Sequence, residues 1–246
     1  MISTKRLSVL TGAAGVIGFA VARRFVADGY RVIMIDINCD QLRKNASAIG
    51  ECAVPLVLDI SDIAAVERAC NEIAEQYGEA DTLVNNAGIL SNAKSDSISL
   101  DDWKQIMTIN LDGAYFLTRF LLPAMRKRGW GRIVNVCSLA MKTGGLTAGT
   151  AYSTSKGALG ALTFSLAREL ASEGITVNAV APAYVRTPMI TKQLSETQRQ
   201  SIVDQIPVGR FCEPEEVAHL IAFLASPQAG FITGEIVDIN GGLHMD

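Results

Sequence analysis

The 246-residue chain has no uninterrupted apolar stretch of the ~18 residues that a membrane helix needs. Histidine is nearly missing: His219 and His244 are the only two, far apart, which argues against a histidine-based metal site. His219 sits in an apolar helical run, where packing or a hydrogen bond is its expected role. The five cysteines, Cys39, Cys52, Cys70, Cys137 and Cys212, are scattered, odd in number and without C-x-x-C spacing. A disulfide framework and a zinc cluster both lack their pattern. A dominant charge is missing too. Twenty-two Lys and Arg face 25 Asp and Glu, for a net −3, so nucleic acid and anionic membrane meet no general attraction. Lys5-Arg6 and Arg126-Lys127-Arg128 read as solvated basic ends. The first ten residues enter a strand without a signal-peptide hydrophobic segment or cleavage pattern, so a cytoplasmic location is expected. With 49% hydrophobic and 19% charged residues, disorder is not expected. One domain over 1–246 with a sizeable core is.

What is present is alternation. Leu7–Leu10, Arg31–Ile35, Ala53–Val57, Thr82–Val84, Arg132–Val136, Thr176–Val180 and Ile236–Ile239 read as strands. Helical apolar periods fall between them, through Ala20, Val21, Phe25 and Val26, and through Ile63, Val66, Ala69, Cys70 and Ile73. Trp103 to Met125 reads as one long helical region capped by Ser99 or Asp101. Ala151 to Glu173 reads as another helix. This order predicts an α/β fold: a Rossmann-like, doubly wound parallel sheet of about seven strands flanked by helices. In such sheets ligand residues gather beyond the carboxyl ends of strands. Gly12, Asp36, Asp59, Asn86, Ser138 and Pro182 all fall there.

The first strand runs into Thr11-Gly-Ala-Ala-Gly-Val-Ile-Gly18 and then a helix. Glycines let backbone approach a pyrophosphate, and the helix N-terminus favours its negative charge. The second strand ends at Asp36, eighteen residues beyond Gly18, near the offset of a ribose-binding carboxylate. Residues 37 and 38 are Ile37 and Asn38, and Gly15 in the turn is no cation either. A 2′-phosphate would meet repulsion at Asp36 without compensation. NAD is therefore expected over NADP.

Tyr152 and Lys156 are four apart, on one face of a helix. A phenol gives up its proton reluctantly near neutrality, and a neighbouring ammonium favours the phenolate. The pair is a candidate proton donor and acceptor. Ser138, fourteen residues before the tyrosine, is placed to hold a substrate oxygen. Cys137 beside it should point to the other face of the sheet and pack.

Thr11-Gly12 with Gly18, Asp59-Ile60, Asn85-Asn86-Ala87-Gly88, Asn110, Ser138, Tyr152, Lys156 and Pro182 through Thr187 together resemble the short-chain dehydrogenase/reductase family, across essentially the whole chain. The resemblance implies hydride transfer between a nicotinamide cofactor and a secondary alcohol or ketone. Ser138, Tyr152 and Lys156 would carry the chemistry, with Asn110 positioning a water in the proton relay. It also implies that Gly12, Gly15, Ile17, Gly18, Asp36 and Ile37 lie along the dinucleotide. Asp59, Ile60, Asn86, Ala87 and Gly88 would line its adenosine side. Val185 and Thr187 would lie at the nicotinamide carboxamide, Pro182 and Tyr152 would also border the cofactor, and Lys156 would contact the nicotinamide ribose. The chain departs from the family pattern at Val16 and Ala183, where glycine is common. Val16 raises a question of bulk and positive φ beside the pyrophosphate.

The substrate is less determined. A broad secondary-alcohol dehydrogenase is the leading reading, with a 3-oxoacyl-thioester reductase as the specific alternative. A dinucleotide-binding protein without turnover is the alternative of another class. Leu90, Leu139, Met141, Gly144, Gly145, Leu146 and Tyr184 are expected to shape the pocket, and the polar stretch 189–210 to cover it as a lid. The Arg126–Arg128 patch and Arg168 could meet an acidic acyl carrier. The family resemblance implies a homotetramer. Tyr115, Phe116, Leu159, Leu162, Phe164, Leu166 and the segment from Phe231 to Met245 are candidate contact positions.

Overall fold

The computed structural model describes residues 6–145, 147–187 and 195–245. Leu146 and the first part of the expected lid, 189–194, lie outside them. Seven strands form one parallel sheet: β1 Leu7–Thr11, β2 Arg31–Asp36, β3 Ala53–Val57, β4 Thr82–Asn85, β5 Gly131–Val136, β6 Ile175–Pro182 and β7 Ile236–Ile239. Their order is β3-β2-β1-β4-β5-β6-β7. The chain winds outward from β1 to β3, returns past β1, and winds the other way from β4. The carboxyl ends of β1 and β4 therefore diverge into a crevice, where ligands bind in this architecture.

Both faces of the sheet are covered, which explains why the strands are apolar runs rather than alternating ones. Leu10, Met34, Val84 and Val134 pack under α1 (Val16–Ala27), α2 (Cys39–Ile49) and the helix Pro214–Leu224. Their neighbours Val9, Ile33, Leu83 and Ile133 face α3 (Ile63–Tyr77), the helix Gly113–Arg128 and the helix Thr150–Leu170. Leu159 and Leu166 are buried in these layers, so they complete the core of the chain rather than its surface. Tyr115 and Phe164 stay exposed on the same helices.

Local chemistry sets the element ends. Asn38 and Asp62 cap α2 and α3, accepting hydrogen bonds from the amides of Gln41 and Ala65. Ser99, rather than Asp101, caps α4 (Leu100–Met107). The long helical region is not continuous. A π-helical turn at Thr108–Asp112 separates α4 from α5 (Gly113–Arg128). Beyond β5 come the short α6 (Ala140–Thr143) and the long α7 (Thr150–Leu170), whose last turn tightens to a 3-10 turn at Ala171–Glu173. The helices α8 (Glu196–Val203) and α9 (Pro214–Leu224) follow β6. His219 is exposed rather than packed, because Val217, Ala218, Ile221 and Ala222 take the inward face of α9. No helix among the described residues is long and apolar enough to cross a membrane.

Candidate active site

The glycine turn is held by β4. Gly12 has φ 68°, and a Cβ there would sit 2.7 Å from Asn86 Nδ2 and 2.9 Å from the Ala87 backbone. Thr11 Oγ1 accepts the amides of Asn86 at 3.0 Å and Ala87 at 2.9 Å. Asn86 Nδ2 donates in return to the carbonyls of Thr11 and Gly12. Gly15 is the N-cap of α1 with an extended φ of −73°, and Val16 is the first helical residue. Tyr184 is the sole non-glycine with positive φ among the described residues, so Val16 needs no strained backbone. Gly18 faces the turn across the first turn of α1. A Cβ on it would strike Gly12 O and lie 2.8 Å from Ala13 Cα.

Asp36 closes this end of the site. One carboxylate oxygen accepts the Ala14 amide and the other the Asn38 amide, each at 2.9 Å. Ile37 projects beside it, 67% exposed. Asn45, a residue the sequence did not single out, is buried in α2 and donates to the carbonyls of Ala13 and Ala14. A lone asparagine inside a polar helix carries no local signal for that role. Asp59 accepts from the amide and hydroxyl of Ser61. The side chain of Ile60 is buried against Gly113, so this residue would present backbone rather than side chain to a ligand.

A cleft of about 440 Å³ opens at the carboxyl edge. It brings together Ser138, Tyr152 and Lys156 with Ile17, Asn86, Gly88, Pro182, Val185 and Thr187. Gly12, Gly15, Gly18, Asp36, Ile37, Asp59, Ile60 and Ala87 are not in its lining, and Asn86 joins the cleft to the glycine turn. Leu90, Leu139, Gly145 and Tyr184 line it as expected. Met141 and Gly144 do not: Met141 packs instead toward Gly160 of α7. Asn92, Thr143, Thr147, Ala148 and Leu243 were not foreseen, because loops far apart in sequence converge there, while Ile202 enters from the stretch expected to cover the pocket. Tyr184 holds φ 45°, a strained value for a non-glycine. Its ring packs against Ile206 and Phe211 at the foot of α8. Lys156 is the one charged side chain in the lining among the described residues.

Lys156 is 3% exposed and donates to Val136 O at 2.7 Å. Its ammonium lies 5.9 Å from the centre of the Tyr152 ring. Ser138 Oγ accepts the Ala140 amide at 3.2 Å, so its own hydroxyl hydrogen is left to donate. Asn110 lies behind the cleft, carried sideways by the π turn and 1% exposed. Its Oδ1 accepts the Ile89 amide at 2.8 Å, and its amide group donates to Ile89 O and Ser155 Oγ. The acceptor and one donor thus fix the segment that carries Gly88 and Leu90, and the other donor ties Asn110 to α7. Burial pushes the Cys137 thiol up to about 11 against the pull of Lys156, which makes it a poor nucleophile.

The basic patch lies elsewhere. Arg126 pairs with Glu169 and Glu173, and Lys127 and Arg128 pair with Glu79. These residues sit beyond α3 and at the C-termini of α5 and α7, at the amino edge of the sheet opposite the cleft.

Comparison with known proteins places the chain and its fold. A family model described as enoyl-(acyl carrier protein) reductase matches residues 12–244. The chain is 39% identical over 241 residues to the 3-oxoacyl-(acyl-carrier-protein) reductase FabG of Thermotoga maritima, covering 97% of each. A 3-ketoacyl-(acyl-carrier-protein) reductase from Brucella melitensis complexed with NADH superposes with TM-score 0.91 at 32% identity, over 99% of this chain and 100% of that one. A glucose/ribitol-type short-chain dehydrogenase/reductase from the same organism gives TM-score 0.90 at 35% identity, over 98% and 97%. The chain belongs to the short-chain dehydrogenase/reductase family, and it is an oxidoreductase.

Proposed function

We propose that this chain is an NAD(H)-dependent reductase of 3-oxoacyl thioesters. The observation that carries this reading is the cleft lining. Around Ser138 and Tyr152 it is built largely from Leu90, Leu139, Ala140, Ala148, Val185, Ile202 and Leu243. A polyol brings several hydroxyls, and each one buried without a partner costs ~1–3 kcal/mol. An acyl chain brings none beyond its 3-oxo and thioester groups. The identities to acyl-carrier reductases support the same choice over the broader alcohol-dehydrogenase reading.

The residues present fit a dinucleotide. Gly12 and Gly18 leave backbone clearances that a Cβ would fill, and the N-terminus of α1 faces the turn. Gly12, Gly15, Ile17 and Gly18 would hold the pyrophosphate, Asp36 and Ile37 the adenine ribose. Asp59, Ile60, Asn86, Ala87 and Gly88 would line the adenosine side. Pro182, Val185 and Thr187 would hold the nicotinamide end. The Asp36 carboxylate would accept ribose hydroxyls and repel a 2′-phosphate, which favours NAD. When bound, the nicotinamide supplies or accepts the hydride. Ser138 donates its hydroxyl hydrogen to the carbonyl oxygen, where negative charge develops. Tyr152 gives that oxygen its proton. Lys156, anchored by Val136 O, keeps an ammonium beside the ring and stabilises the phenolate left behind. Asn110 keeps Ile89 in place and with it the cleft wall.

The enzyme is one catalytic unit in which the described part of the expected lid, 195–210, covers the substrate through Ile202, and it works as a cytoplasmic homotetramer. Exposed Tyr115, Phe164 and the fully exposed Phe231 support association. Light scattering of an active preparation at the single-chain mass of 26.3 kDa would contradict the assembly. A substrate panel tests the activity. Acetoacetyl-CoA should give a higher kcat/KM with NADH than any polyol gives with NAD. Turnover of ribitol or glucose with no thioester turnover would return the assignment to a polyol dehydrogenase.

A further inference from the structure

Lys94 lies outside the cleft lining, yet it grips two residues of the cleft wall. Its ammonium donates to Ala148 O at 2.7 Å and to Gly145 O at 3.1 Å, two residues that line the cleft. Lys94 itself is rigidly based. Its amide donates to Ser97 Oγ at 3.0 Å, and its carbonyl accepts the amides of Ser97 and Ile98, each at 3.0 Å. The loop it grips has little support from its own sequence. Gly145 holds φ 77°, and the end of the loop is tied separately. Gly149 N–H donates to Ser91 O at 2.7 Å, and Thr150 N–H to Ala93 O at 3.2 Å. The backbone staple thus fixes residues 149–150, while the lysine holds the carbonyls of Gly145 and Ala148.

We infer that Lys94 is a positioning residue that sets the width of the acyl end of the cleft, and so the chain length the enzyme prefers. The inference rests on the thioester reading for its substrate and on the two carbonyl contacts for its mechanism. A cation bridging two carbonyls draws them to one point and holds Thr147 and Ala148 against the cleft. Without it the carbonyls turn to solvent and the wall can retreat. The residue touches no reacting atom, so the chemical step is not its target.

Lys94→Met keeps the length and apolar stem of the side chain and removes the three donors. Lys94→Arg restores a cation able to bridge both carbonyls. The measurements are kcat and KM for acetoacetyl-CoA and 3-oxododecanoyl-CoA, and amide hydrogen exchange across 145–150. For Lys94→Met, the expected result is faster exchange at 145–148. The long-to-short ratio of kcat/KM should rise about fivefold, carried by KM, from the loss of a partly solvated charge-assisted pair of bonds. Lys94→Arg should bring both back toward wild type. An unchanged ratio overturns the inference, whether or not exchange speeds up. A fall in kcat shared equally by both substrates also overturns it, because that is a general structural effect. If wild-type enzyme reduces neither thioester, the substrate reading fails separately. Lys94 is then judged on exchange alone, where unchanged protection at 145–148 overturns it.

Discussion

Gly18→Ala should destabilise the protein and loosen its dinucleotide site, although alanine is the better helix former. The propensity term favours alanine by about 1 kcal/mol inside a helix. The packing term opposes it. The new methyl would overlap Gly12 O and approach Ala13 Cα to 2.8 Å. Both obstacles are backbone, and Gly12 is itself pinned by Asn86 Nδ2 at 3.1 Å. A rotamer change cannot relieve the clash, so α1 must move away from the turn. Overpacking of this kind costs ~1–3 kcal/mol, which outweighs the propensity gain. The expected net is a loss of about 0–2 kcal/mol in urea unfolding, with NADH affinity reduced at least ~10-fold. Gly157→Ala provides the comparison. A methyl there meets nothing within 4 Å among the described residues, so the propensity term acts alone and stability should rise by up to about 1 kcal/mol. Fluorescence titration with NADH and urea midpoints for both variants decide the matter. A Gly18→Ala protein that binds NADH like wild type would refute the close-approach argument.

Tyr152→Phe should keep the fold and NADH binding while turnover falls roughly 10²–10⁴-fold, and near-normal turnover would remove Tyr152 from the chemistry. Lys156→Ala should impair turnover and change the shape of the pH–rate profile, and an unchanged profile would deny its action on the phenol. Asp36→Ala should narrow the preference for NADH over NADPH and weaken NADH use, partly because the Ala14 and Asn38 amides lose their acceptor. An initial preference for NADPH would overturn the Asp36 argument. The Arg210 guanidinium holds the Glu216 carboxyl down to about 2. The stability from that pair is therefore present above the ordinary carboxylate range and lost as pH falls toward 2. Arg210→Met should make acid unfolding begin at higher pH, an effect softened by solvent screening, and an unmoved acid limb would count against it.

The fold was legible because each buried strand is a compact apolar run and the turns after β1, β2, β3, β4 and β7 carry glycine, asparagine or aspartate. β3 and β7 occur at their expected residues. α2 was not marked, because only Leu42, Asn45 and Ala46 on it are buried and no apolar period stands out. The π turn was hidden for a different reason. A five-residue turn is too short for its change of apolar phase to stand out in sequence, and only coordinates show that Asn110 is turned toward Ile89. The trio Ser138, Tyr152 and Lys156 could be read from spacing, since two of them share a helix face. Lys94, Asn45 and Leu243 could not. Each reaches the site across a long sequence separation, through contacts that no local pattern encodes.

Hydride destination tests the central claim most directly. Acetoacetyl-CoA is incubated with NADH carrying deuterium at both C4 positions, and the acyl product is examined by mass spectrometry. Reduction by this enzyme should place one deuterium on C3 of a 3-hydroxybutanoyl product, and Tyr152→Phe should suppress its formation. Product without deuterium at C3, or no reduction by an enzyme that binds NADH, would contradict the account.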